Sequence, residues 1–261
     1  MVWRLFPASK DPMRTRSLLL TLENAYETLS ISAPTVLDAL RGRLTREASD
    51  RRLASWSARV IANAAIAIEV KGREHADPAA TYLVMSNHQS HYDVAVLYCA
   101  LGPSIRMIAK RELFDVPIFG RAMRAAGFIS IDRQNRSSAI QSLDDAKEKL
   151  ASGTSIWIAP EGTRSQTGEL LPFKKGGFAI ALATGTTVLP VSIQGTRDVL
   201  QANALRSRAG CSVTVTIHPP IDPKTFTGEP KVARDALEDA VRAAIASGLR
   251  LPPHSSPHAS R

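Results

Sequence analysis

Between Met85 and Asp93 the sequence reads Met-Ser-Asn-His-Gln-Ser-His-Tyr-Asp, after one apolar run and before another. Its histidines and aspartate are residue types that move protons or hold metals. His88 and Asp93 are five apart, which on an ideal helix separates them by roughly 140°. They cannot share a helical face. They can meet if His88 lies in a strand-to-helix turn and Asp93 in the first turn of the helix. An aspartate so placed bonds one imidazole nitrogen, fixes the tautomer and leaves the other nitrogen as a base. Ser86 and Asn87 are the candidates to cap that helix. Three readings fit the spacing: a polar turn satisfying its own backbone, a catalytic His–Asp pair, and a metal site built from His88, His91 and Asp93.

A second cluster, Pro160-Glu161-Gly162-Thr163-Arg164-Ser165, follows the apolar run 155–159. Loops at the carboxyl ends of strands are where open α/β sheets bind ligands. The arginine fork suits phosphate, and glycine lets a backbone approach closely. Phe173-Lys174-Lys175-Gly176-Gly177 adds cations beside a pliable backbone. A third group is Lys110-Arg111-Glu112-Leu113, with Pro117, Gly120 and Ile131-Asp132-Arg133 beyond it. Residues 103–136 hold seven basic and three acidic side chains. Taken alone, such a cluster is more often a solvated turn or face.

The elements that must position these residues alternate over 73–222. Short apolar or β-branched runs at 81–85, 105–109, 127–131, 155–159, 187–193 and 213–217 are separated by helix-like segments. One helix starts after Ser137, turns Ile140, Leu143, Ala146 and Leu150 inward and stops at Gly153. This alternation predicts an α/β fold, a mixed β-sheet covered by helices. Residues 229–247 read as an amphipathic surface helix, and the tail 251–261 as disordered. Residues 1–72 read as helical. One stripe is Leu18, Leu22, Ala25, Tyr26 and Leu29. Another is Leu53, Trp56, Val60, Ile61, Ala64, Ala65 and Ile68, and Ser-Ala-Pro at 32–34 and Gly42 bound a shorter piece between them. The helices at 14–29 and 53–69 are flanked by arginines, so each stripe either lies at a membrane interface or packs on the sheet. The expected organisation is 1–72 as N-terminal amphipathic helices and 73–250 as the α/β domain.

Composition narrows the classes. The 261 residues are 44% hydrophobic and 22% charged, which excludes disordered, fibrous and disulfide-scaffold classes. A net charge of +9 points to an anionic partner. Nucleic acid is a poor candidate, since only 5% of residues are aromatic and no binding motif accompanies the charge. Two cysteines, Cys99 and Cys211, suit a reducing compartment. No signal peptide is expected, because the run Leu18 to Leu20 is too short. The uncharged stretch from Gly176 to Thr196 is long enough to span a bilayer, but Thr184-Gly185-Thr186-Thr187 divides it. It is read as two buried core elements.

Taken together, the clusters resemble the bacterial 1-acylglycerol-3-phosphate acyltransferase family, within the glycerolipid acyltransferase superfamily. Its Asn-His-x4-Asp motif fits Asn87, His88 and Asp93. Its Lys-x-Glu-Leu motif fits Lys110, Glu112 and Leu113, with Ile131 to Arg133. Its Pro-Glu-Gly-Thr-Arg-Ser and Phe-Lys-x-Gly motifs fit residues 160–165 and 173–176, and its proline-bearing strand fits Val188 to Ile193. All appear in the family's order, and the likeness covers roughly residues 54–220. His91 stands where relatives more often carry a non-titrating residue. Many relatives also begin with strongly hydrophobic membrane segments, which this chain replaces with amphipathic helices.

The resemblance implies the acyltransferase fold and an O-acyltransferase. Its reaction moves a fatty acyl group from an acyl thioester to the sn-2 hydroxyl of lysophosphatidic acid, giving phosphatidic acid. Acyl-CoA or acyl carrier protein would deliver the acyl group, with no cofactor and no metal. His88 would act as base with Asp93 behind it. Arg164, with Lys110, Arg111 and Lys174, would hold the acceptor phosphate, and Glu161, Gly162 and Thr163 would complete the acceptor pocket. The expected partner is an anionic membrane surface, at the cytoplasmic face, in peripheral or interfacial contact.

Overall fold

The computed structural model describes residues 3–4, 17–132 and 136–249. The elements in chain order are β1 (Trp3–Arg4), α1 (Leu18–Leu40), α2 (Arg46–Asn63), β2 (Ala67–Lys71), β3 (Leu83–Ser86), α3 (Tyr92–Leu101), β4 (Arg106–Lys110) and α4 (Arg111–Phe114). They continue with α5 (Phe119–Ala125), β5 (Ile129–Ile131), α6 (Arg136–Ala151), β6 (Ile156–Ile158), α7 (Gly176–Thr184), β7 (Val188–Gln194), α8 (Thr196–Val199), β8 (Ser212–Ile217) and α9 (Pro230–Ser247). The strands form one mixed sheet in the order β1-β2-β8-β7-β3-β6-β4-β5. β7, β3, β6, β4 and β5 run parallel, so their carboxyl ends share one edge. β8 is antiparallel to β7 and parallel to β2.

Strand alternation sends neighbouring side chains into two cores. Leu83, Met85 and Ile156 join Phe178, Leu237 and Val241 under α7 and α9. Val84 and Trp157 join Leu53, Val60, Ile61 and Val96 beneath α2 and α3. A strand covered on both faces has no polar side to show. This is why Val188 to Ile193 is uncharged and buried throughout, with the hydroxyl of Ser192 bonded inside. The uncharged stretch 176–196 is indeed two core pieces, α7 and β7. Among the described residues no helix is long and apolar enough to cross a membrane.

Two expectations for the N-terminal region are corrected and an open choice is resolved. The helix carrying the second stripe ends at Asn63, and Ala67–Lys71 is a strand paired with β8. Ile68 continues the helical spacing by coincidence; Ala65, at φ +46°, breaks the chain direction without a glycine to signal it. Pro34 does not end a helix but lies inside α1, where packing on α2 and α5 outweighs a local cost of about 3 kcal/mol. The two stripes also divide. Leu53, Val60 and Ile61 of α2 are buried, whereas Leu18, Leu19, Leu22, Tyr26 and Leu29 of α1 face outward, Leu19 being 77% exposed. The stretch 251–261 lies outside the described residues.

A buried histidine ties the last helix to the sheet. His218 Nε2 lies 2.7 Å from Ser192 Oγ, which donates to the Ile245 carbonyl at 2.6 Å. Burial, then the nearby His75, lowers the His218 pKa from its ordinary value near 6.5. Folding therefore favours the neutral ring. A depressed folded pKa means the stability is present above about pH 6.5 and is lost as pH falls toward the folded value. Thermal melts of the wild type should fall as pH drops below 6.5, and His218→Gln should show a shallower decline; parallel curves would remove His218 from the acid response.

Candidate active site

β3 delivers the chain to the sheet edge, and Asn87 fixes how it leaves. Its side-chain amide donates to the Ile193 carbonyl at 2.8 Å and its side-chain carbonyl accepts from Ile193 N–H at 2.8 Å. The side chain thus replaces one more ladder position on β7. The backbone then turns through His88, Gln89 and Ser90 into α3. Asp93, fully buried, gives one oxygen, Oδ2, to three donors: Gln89 N–H at 2.7 Å, Ser90 N–H at 3.0 Å and the His88 ring at 2.7 Å through Nδ1. Ser86 and Asn87, expected as caps, are engaged elsewhere, Ser86 Oγ accepting from Trp157 Nε1 at 2.9 Å. Ser90 Oγ instead accepts from Tyr92 N–H at 3.3 Å.

Of the three readings, the geometry therefore pairs His88 with Asp93. With Nδ1–H donated to the carboxylate, Nε2 carries the lone pair and has no partner among the described residues. The His88 ring meets Trp157 edge to face at 5.6 Å. Among the described residues no three His, Cys, Asp or Glu side chains gather in a metal-ligating group.

The loop after β6 grips His88 from the other side. Glu161 is buried, and its carboxylate accepts from His88 N–H at 2.8 Å and from Leu171 N–H at 2.9 Å. Ser165 N–H closes the clamp on the His88 carbonyl at 2.8 Å. Burial pushes the Glu161 carboxyl up, against the pull of these two amides. Expected in the acceptor pocket, Glu161 has both oxygens committed to backbone and acts as the brace of the His88 turn. Gly162 lets the loop make this reversal, at φ +73° with its N–H on the Ala159 carbonyl.

Arg164 is half-buried in the same loop and makes no hydrogen bond or ion pair with a described residue. Burial lowers its pKa and the Asp93 carboxylate opposes that, leaving it charged at neutral pH. Thr163 and Lys174 are exposed in the loops that follow β6, where Lys174 N–H bonds the Pro160 carbonyl. Lys110 and Arg111 lie at the carboxyl end of β4, on the same sheet edge. Each is exposed and already paired, Lys110 with Glu112 at 2.8 Å and Arg111 with Asp132 at 2.8 Å. Arg133 lies outside the described residues.

Beside this edge opens an apolar cavity of about 320 Å³. Ile31, Trp56, Val94, Met107, Phe119 and Met123 are among its walls, and His91 stands at it three residues from His88. Hydroxyls along the α1 side are spent within the helix: Ser32 donates to the Thr28 carbonyl and Thr35 to that of Ile31, both at 2.7 Å. Arg52 reaches the far part of the cavity and is held by Thr35 and Asp38. His91 is exposed outward and lines the cavity inward. Desolvation on that inner side, then Arg164 and His88, hold its imidazole well below the ordinary value, so it is neutral at pH 7.

Sequence reasoning passed over Asn87 as a strand surrogate, Glu161 as a brace and Trp157 as the wall behind the His88 ring. Each acts on a residue far away in the chain, as the Asn87–Ile193 and His88–Glu161 bonds and the His88–Trp157 ring contact show. The available signal was that two polar clusters each directly follow an apolar strand.

A family model described as Acyltransferase matches residues 67–194, the span that carries His88, Asp93, Glu161 and Arg164. The mouse 1-acyl-sn-glycerol-3-phosphate acyltransferase alpha is 32% identical over 205 residues, covering 78% of this chain and 70% of that one. A chloroplastic 1-acyl-sn-glycerol-3-phosphate acyltransferase of Brassica napus is 36% identical over 59% of this chain, and the match spans only 44% of its length. The solved structure of the 1-acyl-sn-glycerophosphate acyltransferase PlsC from Thermotoga maritima superposes with a TM-score of 0.74 at 29% identity, over 90% of this chain and 98% of that one. With a likeness of that extent centred on the strands and loops that hold His88, Asp93 and Arg164, this chain belongs to the 1-acyl-sn-glycerol-3-phosphate acyltransferase family.

Proposed function

We propose that this chain transfers a fatty acyl group from a thioester to the sn-2 hydroxyl of 1-acylglycerol-3-phosphate, yielding phosphatidic acid. The observation that carries the reading is His88 Nε2. Its ring is fixed by Asp93, its other nitrogen is unclaimed, and an apolar cavity and an unpaired arginine lie beside it. Base, chain site and phosphate site adjoin one another.

In the proposed reaction the acceptor hydroxyl gives its proton to His88 Nε2 as its oxygen attacks the thioester carbonyl. Asp93 steadies the imidazolium that results. The tetrahedral oxyanion collapses, the C–S bond breaks, and the leaving thiolate takes the proton back. The acyl group passes directly to the acceptor, with no acyl-enzyme, cofactor or metal. Coenzyme A and acyl carrier protein are both anionic carriers, and the net charge of +9 favours either. The proposed setting is peripheral contact with the cytoplasmic face of an anionic membrane, a reading supported by the exposed apolar side chains of α1 and by Arg41 and Arg43 following it.

The test is thiol release from an acyl thioester with and without lysophosphatidic acid. Release that depends on the acceptor supports the reading; equal release without acceptor makes the protein a thioesterase. Within that assay Arg164→Ala should raise the acceptor KM about 10- to 100-fold, the worth of one charge-assisted contact. Arg164→Lys should recover part of it, since it keeps the charge but loses the fork. An unchanged acceptor KM would take the phosphate away from Arg164.

A further inference from the structure

The turn joining α4 to α5 has a construction that the proposed reaction leaves unused. Leu113, Val116 and Ile118 are all exposed, at 37%, 44% and 46%, around Pro117. Three large apolar side chains within six residues of an exposed turn are costly in water. The backbone holds them there deliberately. Ile118 sits at φ +64°, ψ −59°, a conformation a β-branched residue rarely adopts. Around it the turn is locked: Phe119 N–H bonds the Pro117 carbonyl at 2.7 Å, Gly120 N–H that of Val116 at 2.8 Å, and Ala122 N–H that of Ile118 at 2.9 Å. Gly120 is obligatory, because a Cβ there would lie 2.0 Å from the Phe114 carbonyl oxygen. The strain is thus overdetermined by its surroundings, and its visible result is an isoleucine held outward.

Position and charge indicate what this tip meets. Leu113 lines the apolar cavity while reaching the surface, so the turn stands at an opening of that cavity. It follows β4 at the same sheet edge as His88. Around the tip are the exposed cations Lys110, Arg111, Arg121 and Arg124, against the acids Glu112, Asp115 and Asp132, with which Lys110, Arg111 and Arg124 are paired; the balance stays positive. Arg124 also stacks on Phe114 at 5.5 Å, which sets a cation directly behind the apolar tip. An apolar tip with a basic collar fits the headgroup–acyl boundary of an anionic bilayer.

We infer that the Leu113–Ile118 turn is a membrane-seating element, separate from α1, which presses the opening of the cavity against an anionic lipid surface. Lipid then enters the site from the bilayer rather than from solution. The inference rests on the proposed reaction for its lipid substrate, but the surface contact is measured without turnover.

The full-length protein is compared with Val116→Asn/Ile118→Asn, neither residue having a place in the catalytic or binding machinery. Both side chains are exposed, so the variant should melt within a few degrees of the wild type. Co-sedimentation uses vesicles of equal parts phosphatidylcholine and phosphatidylglycerol, and vesicles of phosphatidylcholine alone. The variant's partition to the mixed vesicles should fall about tenfold or more, the effect of withdrawing two partly inserted aliphatic side chains. Val116→Trp should add a blue-shifted emission on the mixed vesicles and none on phosphatidylcholine. Partition equal to wild type, or no blue shift, overturns the inference. Activity is read in parallel on a vesicle-borne and on a monomeric short-chain acceptor. Loss on the first with retention on the second supports seating, whereas equal loss on both overturns it. Wild type inactive on both acceptors sinks the proposed reaction, while the partition result still decides the membrane contact.

Discussion

His88→Ala should lower acceptor-dependent thiol release by about 10² to 10⁴-fold, the range of a well-placed general base. It should do so in a protein that remains folded. The His88 side chain is 19% exposed, and its one hydrogen bond among the described residues is to Asp93. When it is removed, Asp93 Oδ2 keeps the Gln89 and Ser90 amides, and the clamp by Glu161 and Ser165 acts on the backbone, which alanine retains. The structural loss reduces to the edge-to-face contact with Trp157, about 1 kcal/mol. On a chain of this size that is a melting shift of roughly 2–4 °C. The effect on rate should lie in kcat, since the base contributes when the proton moves.

His91→Gln is the companion measurement. His91 has no carboxylate holding its ring, and its surroundings keep it neutral. If it only lines the cavity opening, the variant should change kcat far less than His88→Ala and should act through KM. Equal collapse in both variants would mean that the two histidines work as a unit. Collapse in His91→Gln alone would move the base to the other histidine.

How far this site could be read beforehand follows from how local its interactions are. The His88–Asp93 pair lies within five residues, and residue type, spacing and the preceding strand suffice to suggest it. The same holds for α7, β7 and α9, whose boundaries are marked by Thr184-Gly185, by a charge-free run and by helical periodicity. β2 could not be found this way. Five residues offer little alternation, and the strand exists because β8, more than 140 positions later, supplies its partner at Val70↔Val215. The inward and outward stripes of α2 and α1 look alike in sequence; only packing separates the helix that covers the sheet from the one that faces out. Glu161 shows the same limit at the site. Its place beside Arg164 suggests substrate binding, and nothing local reveals that both its oxygens hold backbone amides.

Asp93 is the position at which charge and architecture can be separated, because its two oxygens have different duties. Oδ2 serves three donors; Oδ1 is buried and has no partner among the described residues. In Asp93→Asn the amide oxygen can take the place of Oδ2, accepting the Gln89 and Ser90 amides and the His88 ring, while the NH₂ fills the unpartnered position. The turn and the tautomer survive, and only the negative charge behind the imidazole is lost. In Asp93→Ala all three donors lose their acceptor, each at about 1–3 kcal/mol when left unsatisfied in a buried site. The expected results therefore diverge. Asp93→Asn should melt within a few degrees of wild type, yet lose about 10² or more in kcat, because the imidazolium formed as the hydroxyl attacks is no longer stabilised. Asp93→Ala should lower the melting temperature on the order of 10 °C as well as abolish turnover. Thermal melts beside steady-state kinetics distinguish the two roles. If Asp93→Asn kept wild-type kcat, the carboxylate would serve the fold alone and His88 would work without an electrostatic partner. If Asp93→Asn melted as low as Asp93→Ala, the buried charge itself would be holding the turn, through its attraction for the two amides and for nearby Arg164.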